Sequence, residues 1–322
     1  MEVQKIMKNK LVRFTKFSKV FFGISLGIIL IGIICNFVFG TQLDIQFRGG
    51  SYIKYSYVGD VDTDKLKDVI QTNTKQEVTM SISSDILSNS KKGDAYTIRV
   101  EFAGTKAIST NEQKKLTQTV QKAFPDNNFK VLEASAIESS MGSKFLLKCL
   151  TAVAIASILM VLYVTVRFRK IGGLSAGVMA LVALFHDVAM IYFMYVIFQM
   201  PIDSNFIAVV LMILGYSLND TIVIYDRVRE ERRNFGAKED IGYVFDYSAT
   251  KVLRRTIFTS LTTLMAIGTV LVVSMIFNIS SVTSFALPMM IGVISGCYSS
   301  VCIAGPLWVM WQKHKKKAKA SK

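Results

Sequence analysis

The chain has almost no histidine and no grouped cysteines, and these gaps remove several chemistries at once. Cys35, Cys149, Cys297 and Cys302 all fall inside apolar runs. They offer neither a disulfide framework nor metal-ligand spacing, so each reads as a small buried hydrophobe. Of the two histidines, His314 sits in a basic tail where solvation is its ordinary state. No G-x-x-x-x-G-K-[ST] loop and no H-E-x-x-H motif is present, which argues against a Walker nucleotide site or a zinc protease. Four prolines and 19% charged residues exclude a disordered or collagen-like chain. The expectation is a non-enzyme without a cofactor.

What is abundant is apolar sequence. Hydrophobic residues make up 51% of the 322, above the roughly 45–50% of soluble domains even with glycine counted, and the excess is gathered into long runs. The net charge of +15 would suit nucleic acid if it were spread over a surface, but it is not. Residues 41–144 hold 14 Lys/Arg against 13 Asp/Glu. The excess lies in short blocks beside apolar runs, where it sets membrane orientation. No nucleic-acid partner is expected.

A spanning helix needs about 20 mainly apolar residues, and six runs qualify: 20–39, 145–166, 172–198, 202–225, 256–277 and 282–311. The first follows Lys5, Lys8, Lys10, Arg13, Lys16 and Lys19. It is longer than a signal-peptide core of roughly 7–15 residues and lacks an A-x-A-like site, so it reads as a retained anchor. Basic residues then fill alternate loops: Arg167, Arg169 and Lys170; the 226–255 loop from Arg227 to Arg255; and the tail from Lys313 to Lys322. The opposite loops, 199–205 and 278–281, contain no Lys or Arg. The positive-inside rule therefore places both termini in the cytoplasm and 41–144 outside. The organisation expected is 1–40 (N-terminus and first span), 41–144 (exported domain), 145–312 (five spans) and 313–322 (basic tail). Within the 226–255 loop, Ile241, Val244, Phe245, Ser248 and Val252 share one helical face and predict a short amphipathic helix along the membrane surface.

The exported stretch reads as α+β. Alternation at Leu43, Ile45 and Phe47, and again at Ile53, Tyr55 and Tyr57, predicts two strands around Arg48-Gly-Gly50. Helical spacing follows over 62–72. Alternation returns at 78–82 and 96–102, across a polar turn at 88–94. A second helix over 110–124, capped by Thr110 and stopped by Pro125, precedes a strand over 129–137. The order β-β-α-β-β-α-β suggests a ferredoxin-like sheet with its helices on one face. The fold class is thus a polytopic α-helical membrane protein of six transmembrane helices, with an extracytoplasmic α+β domain inserted between the first two.

Polar groups inside spans are the candidates for chemistry, since a charge at mid-bilayer costs at least ~2.5–3.5 kcal/mol. The third span carries His186-Asp187, the fourth Asn219-Asp220, and the fifth opens at Arg254-Arg255. For Asp220 the readings are a structural pair near the inner end or an ion-coupling carboxylate. For His186 and Asp187 they are a structural hydrogen-bonded pair or part of a proton relay. For Arg255 they are anchoring or a counter-ion to Asp220. G-x-x-x-G spacings at Gly23/Gly27, Gly173/Gly177 and Gly292/Gly296 permit close helix packing.

With these residues in view, the chain resembles the SecF family of bacterial protein-export membrane subunits. The resemblance rests most on Gly215-Tyr-Ser-Leu-Asn-Asp-Thr-Ile-Val-Ile-Tyr-Asp-Arg-Val-Arg-Glu230. Further matches are Tyr163-Val-Thr-Val-Arg-Phe168, Ala183-Leu-Phe-His-Asp187, Arg255-Thr-Ile-Phe-Thr-Ser260, Phe285-Ala-Leu and Tyr298-Ser-Ser300. Phe47-Arg-Gly-Gly50 matches the family turn after the first span, but Gln46 stands where an acid is expected. The resemblance implies half of a resistance-nodulation-division type core in the bacterial cytoplasmic membrane. It implies a SecD-like partner, the SecYEG channel, YajC, unfolded exported polypeptides and membrane lipids as contacts, and a proton or sodium gradient as energy source. It assigns ion coupling to Asp220 and Arg255, beside Asn219, His186 and Asp187. Two other classes stay open: a half-transporter of the same superfamily exporting lipids or small molecules, and a non-transporting assembly scaffold.

Overall fold

The computed structural model describes residues 11–74, 77–84, 95–103, 108–137, 139–236, 239–277 and 279–320. The first basic residues, to Lys10, and the 88–94 turn lie outside them. Among the described residues, six helical stretches are long and apolar enough to cross a membrane. They are α1 (Ser18–Phe39), α5 (Ser139–Arg167), α6 (Gly173–Ile197), α7 (Ser204–Phe235), α8 (Ile241–Ile276) and a composite sixth. The sixth runs as α9 (Ser280–Ser299), a buried π-helical turn (Ser300–Ala304) and α10 (Gly305–Ala320).

Between α1 and α5 the chain forms α2 (Ile45–Arg48), β1 (Gly50–Val58), α3 (Thr63–Thr74), β2 (Glu77–Ser84), β3 (Ala95–Ala103), α4 (Thr110–Ala123) and β4 (Lys130–Ile137). The strands make one antiparallel sheet in the order β2-β3-β1-β4. Alternate residues of β1, Ile53, Tyr55 and Tyr57, face a core shared with Leu66 and Ile70 of α3 and Leu116 and Val120 of α4. The opposite face is polar: the Arg99 guanidinium lies 4.2 Å from the Tyr52 ring centroid, and the Tyr52 hydroxyl donates to Glu133.

Two local expectations are corrected here. Residues 43–47 are not a strand. Asp44 caps α2 by accepting from the Gln46 N–H at 2.9 Å, and this local acceptor draws 45–48 into a helical turn. Ile45 and Phe47 are still buried, so the alternation reported burial and not extension. The cap of α4 is Ser109, one residue earlier than Thr110; Ser109 and Glu112 form a reciprocal capping box.

The amphipathic segment at 241–252 is not a separate surface helix either. Asp240 starts α8 by accepting from the Gly242 and Tyr243 N–H groups at 3.0 and 3.2 Å, and no proline interrupts the helix before Ile276. Its apolar face, Val244, Phe245 and Ala249, packs on Phe168, Tyr225 and Trp308 instead of on lipid.

The inserted domain is joined to the bundle at a small, dense contact. The Asp44 N–H donates to the Ile202 carbonyl at 3.0 Å, and the Ile202 N–H to the Gln42 carbonyl at 2.8 Å. Phe47 stacks on Phe145 with ring centroids 5.6 Å apart. Gly142 of α5 passes directly beneath the α2 turn, where an added Cβ would lie 2.8 Å from the Phe47 carbonyl oxygen and 2.9 Å from the Gly49 nitrogen. These are backbone atoms that cannot swing away. Gly142→Ala is expected to lose about 1–3 kcal/mol, as overpacked sites do. Hydrogen exchange should show the loss as faster exchange at 44–50, while the sheet around Val100 stays protected. Unchanged exchange at 44–50 would refute the contact.

Candidate functional site

The buried stripe of α6 consists of small residues, Ala176, Ala180 and Ala183, and then reaches Asp187, which has no exposed surface. A carboxylate there cannot snorkel to water, so its acceptors must be filled from neighbouring helices. They are. Ser217 of α7 donates to Oδ2 at 2.7 Å, Ser299 of α9 donates to Oδ2 at 2.8 Å, and Ser295 of α9 donates to Oδ1 at 2.6 Å. The His186 Nδ1 lies 3.2 Å from Oδ1.

Glycines bring these serines in. An added Cβ at Gly296 would sit 3.0 Å from the Ser217 Cβ, and one at Gly292 would sit 2.5 Å from Ile213 and 3.2 Å from Ile191. Helix α9 therefore crosses α6 and α7 at small residues, the geometry its G-x-x-x-G spacing allows. The network extends outward through Tyr298. Its ring centroid is 6.0 Å from that of His186, and its hydroxyl donates to the Phe21 carbonyl of α1 at 2.8 Å.

Asp220 lies about one turn along α7 from Ser217 and is 3% exposed. Its surroundings differ in kind from those of Asp187: its Oδ2 is buried with no hydrogen-bond partner. Beside it, Thr221 donates to Ser300 at 3.0 Å, and Ser300 donates to the Ser217 carbonyl at 3.0 Å. The π-helical turn begins at Ser300 and is thus bonded to α7 at Ser217 and Thr221, the stretch that carries Asp220. One carboxylate is saturated with donors and the other has an oxygen to spare.

Arg255 is not where a direct counter-ion would be. Its charge reaches Asp220 through space, but the two form no ion pair within 4.0 Å among the described residues, and Arg255 is exposed. Neighbouring positions on a helix point about 100° apart; Thr256 and Ser260 take the buried face of α8 and leave Arg255 outside it. Asn219 is exposed as well. The bundle thus brings together His186, Asp187 and the Asp220 neighbourhood, and leaves Asn219 and Arg255 on its surface. Ser295 was missed from the sequence. The available signal was its i, i+4 spacing to Ser299, next to the Gly292/Gly296 face.

Six apolar helices packed around buried carboxylates define a multi-pass membrane protein. The family model for the protein export membrane protein SecD/SecF, C-terminal, matches residues 115–314. The SecF protein translocase subunit of Sebaldella termitidis is 32% identical over 97% of this chain and 95% of its own length. The SecDF translocase subunit of Bacillus subtilis is 30% identical over 93% of this chain and 38% of its own. Among solved structures, SecDF from Thermus thermophilus, described as a translocon-associated membrane protein, has the same fold. It gives a TM-score of 0.75 at 24% identity, covering 94% of this chain and 39% of that one. A SecDF structure in a super-membrane-facing form gives 0.64, covering 97% and 40%. The chain therefore spans about two fifths of those solved chains. It belongs to the SecD/SecF family.

Proposed function

We propose that the chain is a SecF-type accessory subunit of the protein translocase, promoting late steps of export across the bacterial cytoplasmic membrane with the energy of a proton or sodium gradient. The observation that carries this reading is the free, buried oxygen of Asp220 next to the saturated Asp187. A carboxylate in low dielectric is relieved by a proton or a metal cation. An ion arriving at Asp220 changes the charge against which α7, α8 and the π-helical turn are packed, and so biases one helix arrangement over another. An elementary charge crossing 100 mV is worth ~2.3 kcal/mol, enough to shift such a balance. Through Gly142 and Phe47, movement of α5 is transmitted to the inserted domain.

That domain, 41–144, is proposed to be extracytoplasmic, with both termini cytoplasmic. Its β-α-β-β-α-β order supports a ferredoxin-like reading. Spans and tail follow as 145–312 and 313–322. No catalytic step is assigned to the chain. Asn219 and Arg255, polar and exposed on single spans, support a partner surface over that part of the bundle, because lipid would not accept them. A SecD-like subunit is the proposed occupant. SecYEG, YajC and the exported polypeptide are the further contacts proposed.

Cysteine labelling tests the orientation. In a background lacking the four native cysteines, Asp126→Cys should react with an impermeant maleimide from outside intact spheroplasts, and Lys317→Cys only after lysis. The reverse pattern would overturn the topology. Isolation of the native complex without a SecD-like subunit would count against the assembly.

A further inference from the structure

A cleft of about 700 Å³ opens where the basic turn after α5 meets the start of α6 and the end of α10. Its lining is of two chemical kinds. Arg169, His314 and Lys315 are basic; Leu174, Val178 and Trp311 are apolar, and these three apolar side chains are all exposed in the chain. Beside the cleft, Arg167 is paired with Asp226 at 3.2 Å and Lys313 with Asp240 at 3.0 Å. The three cationic or protonatable groups that line it have no carboxylate partner among the described residues. Gly173, Leu174 and Ser175, the first residues of α6, also face it, and the N-cap Gly172 provides no side-chain cap. Their free N–H groups add partial positive charge. A further polar atom at this wall, the Thr165 hydroxyl, is buried without a hydrogen-bond partner.

We infer that this cleft is a binding site for an anionic phospholipid. The phosphate sits among Arg169, His314, Lys315 and the uncapped start of α6, and the acyl chains lie along Leu174, Val178 and Trp311. The level is right for such a ligand, because the cleft joins the basic edge of three spans to their first apolar turn, and a tryptophan marks that boundary. A soluble anion would use the cations and leave the apolar wall unexplained. A zwitterionic lipid would bring its phosphate together with an ammonium that neutralises it and is repelled by the same three groups. The neighbouring 390 Å³ cavity shares Gly172 and Lys315 and is also basic, but there Asp240 already pairs with Lys313 and Glu239 adds a second carboxylate. The inference rests on the spanning of the membrane by these helices, and not on gradient coupling or on partner identity.

Tryptophan fluorescence reads the site directly, because the chain has two tryptophans and the other, Trp308, is fully buried. The purified full chain would be reconstituted in symmetric phosphatidylcholine vesicles containing increasing phosphatidylglycerol brominated on its acyl chains. The result then does not depend on which face is cytoplasmic. Saturable quenching of Trp311 is expected, absent in Trp311→Phe. The half-saturating lipid fraction should rise at least ten-fold in Arg169→Gln/His314→Gln/Lys315→Gln. Leu174→Glu, an independent change at an exposed position, should have a similar effect, while Lys316→Gln/Lys317→Gln should leave binding near wild type. Unbrominated phosphatidylglycerol should compete, and soluble glycerol phosphate should not. Equal quenching by brominated phosphatidylcholine, displacement by glycerol phosphate, or wild-type binding in the triple variant would each overturn the inference.

Discussion

Asp187→Leu is expected to prevent accumulation of the folded chain. The substitution fills the space with an apolar side chain, yet leaves Ser217, Ser295 and Ser299 buried without the acceptor they now share. Each unsatisfied buried group costs about 1–3 kcal/mol. Ser299 can fall back on the Gly296 carbonyl at 3.3 Å and Ser295 on His186 at 3.5 Å, but Ser217 has no such second acceptor among the described residues, and the loss is a substantial share of the roughly 5–15 kcal/mol typical of a folded domain. Asp187→Asn keeps one acceptor oxygen and should lose less. Ser299→Ala removes a single donor and should lose only about 1 kcal/mol. Thermal unfolding in detergent, followed by size-exclusion elution, ranks the three. Wild-type stability in Asp187→Leu would show that the network does not hold α6, α7 and α9 together.

Asp220→Asn should behave in the opposite way: normal abundance and assembly, with the response to a gradient lost. The Oδ2 has no hydrogen-bond partner, so no hydrogen bond is lost at that oxygen, and Asn preserves the shape while abolishing titration. Arg255→Ala should also be mild for folding. Breaking a buried ion pair typically loses ~3–5 kcal/mol, but Arg255 is exposed and unpaired with Asp220, and a loss below about 1 kcal/mol follows. The double variant Asp220→Asn/Arg255→Gln should then be as stable as the sum of its parts within about 0.5 kcal/mol. A coupling of several kcal/mol in that cycle, read by the same unfolding assay, would indicate a direct pair.

The spans were legible because an apolar run of about 20 residues has few other uses. Their ends were not. Helix α7 continues to Phe235 through charged sequence because Arg227 pairs with Glu230 at 2.7 Å and Glu231 at 2.5 Å, and Arg229 with Asp226 at 2.8 Å. These pairs at helical spacing carry the helix on without hydrophobicity. At Leu43, Ile45 and Phe47 a period-two pattern arose in a capped turn that buries Ile45 and Phe47. Asp187 and Asp220 stood out as charges within apolar runs. Ser295 and Ser299 did not, because a serine in a span is common and only the close approach at Gly296 turns these two toward Asp187. Arg255 illustrates the converse: proximity along the chain to buried Thr256 says nothing of its own direction.

Coupling of the membrane gradient to export through an ion at Asp220, as proposed above, is open to a direct test. Inverted membrane vesicles containing the assembled complex, a preprotein and an imposed proton or sodium gradient test it most directly, with subunit levels matched by immunoblot. The gradient is expected to speed translocation in wild-type vesicles and to leave Asp220→Asn vesicles at the gradient-free rate. Full stimulation in Asp220→Asn vesicles would contradict it.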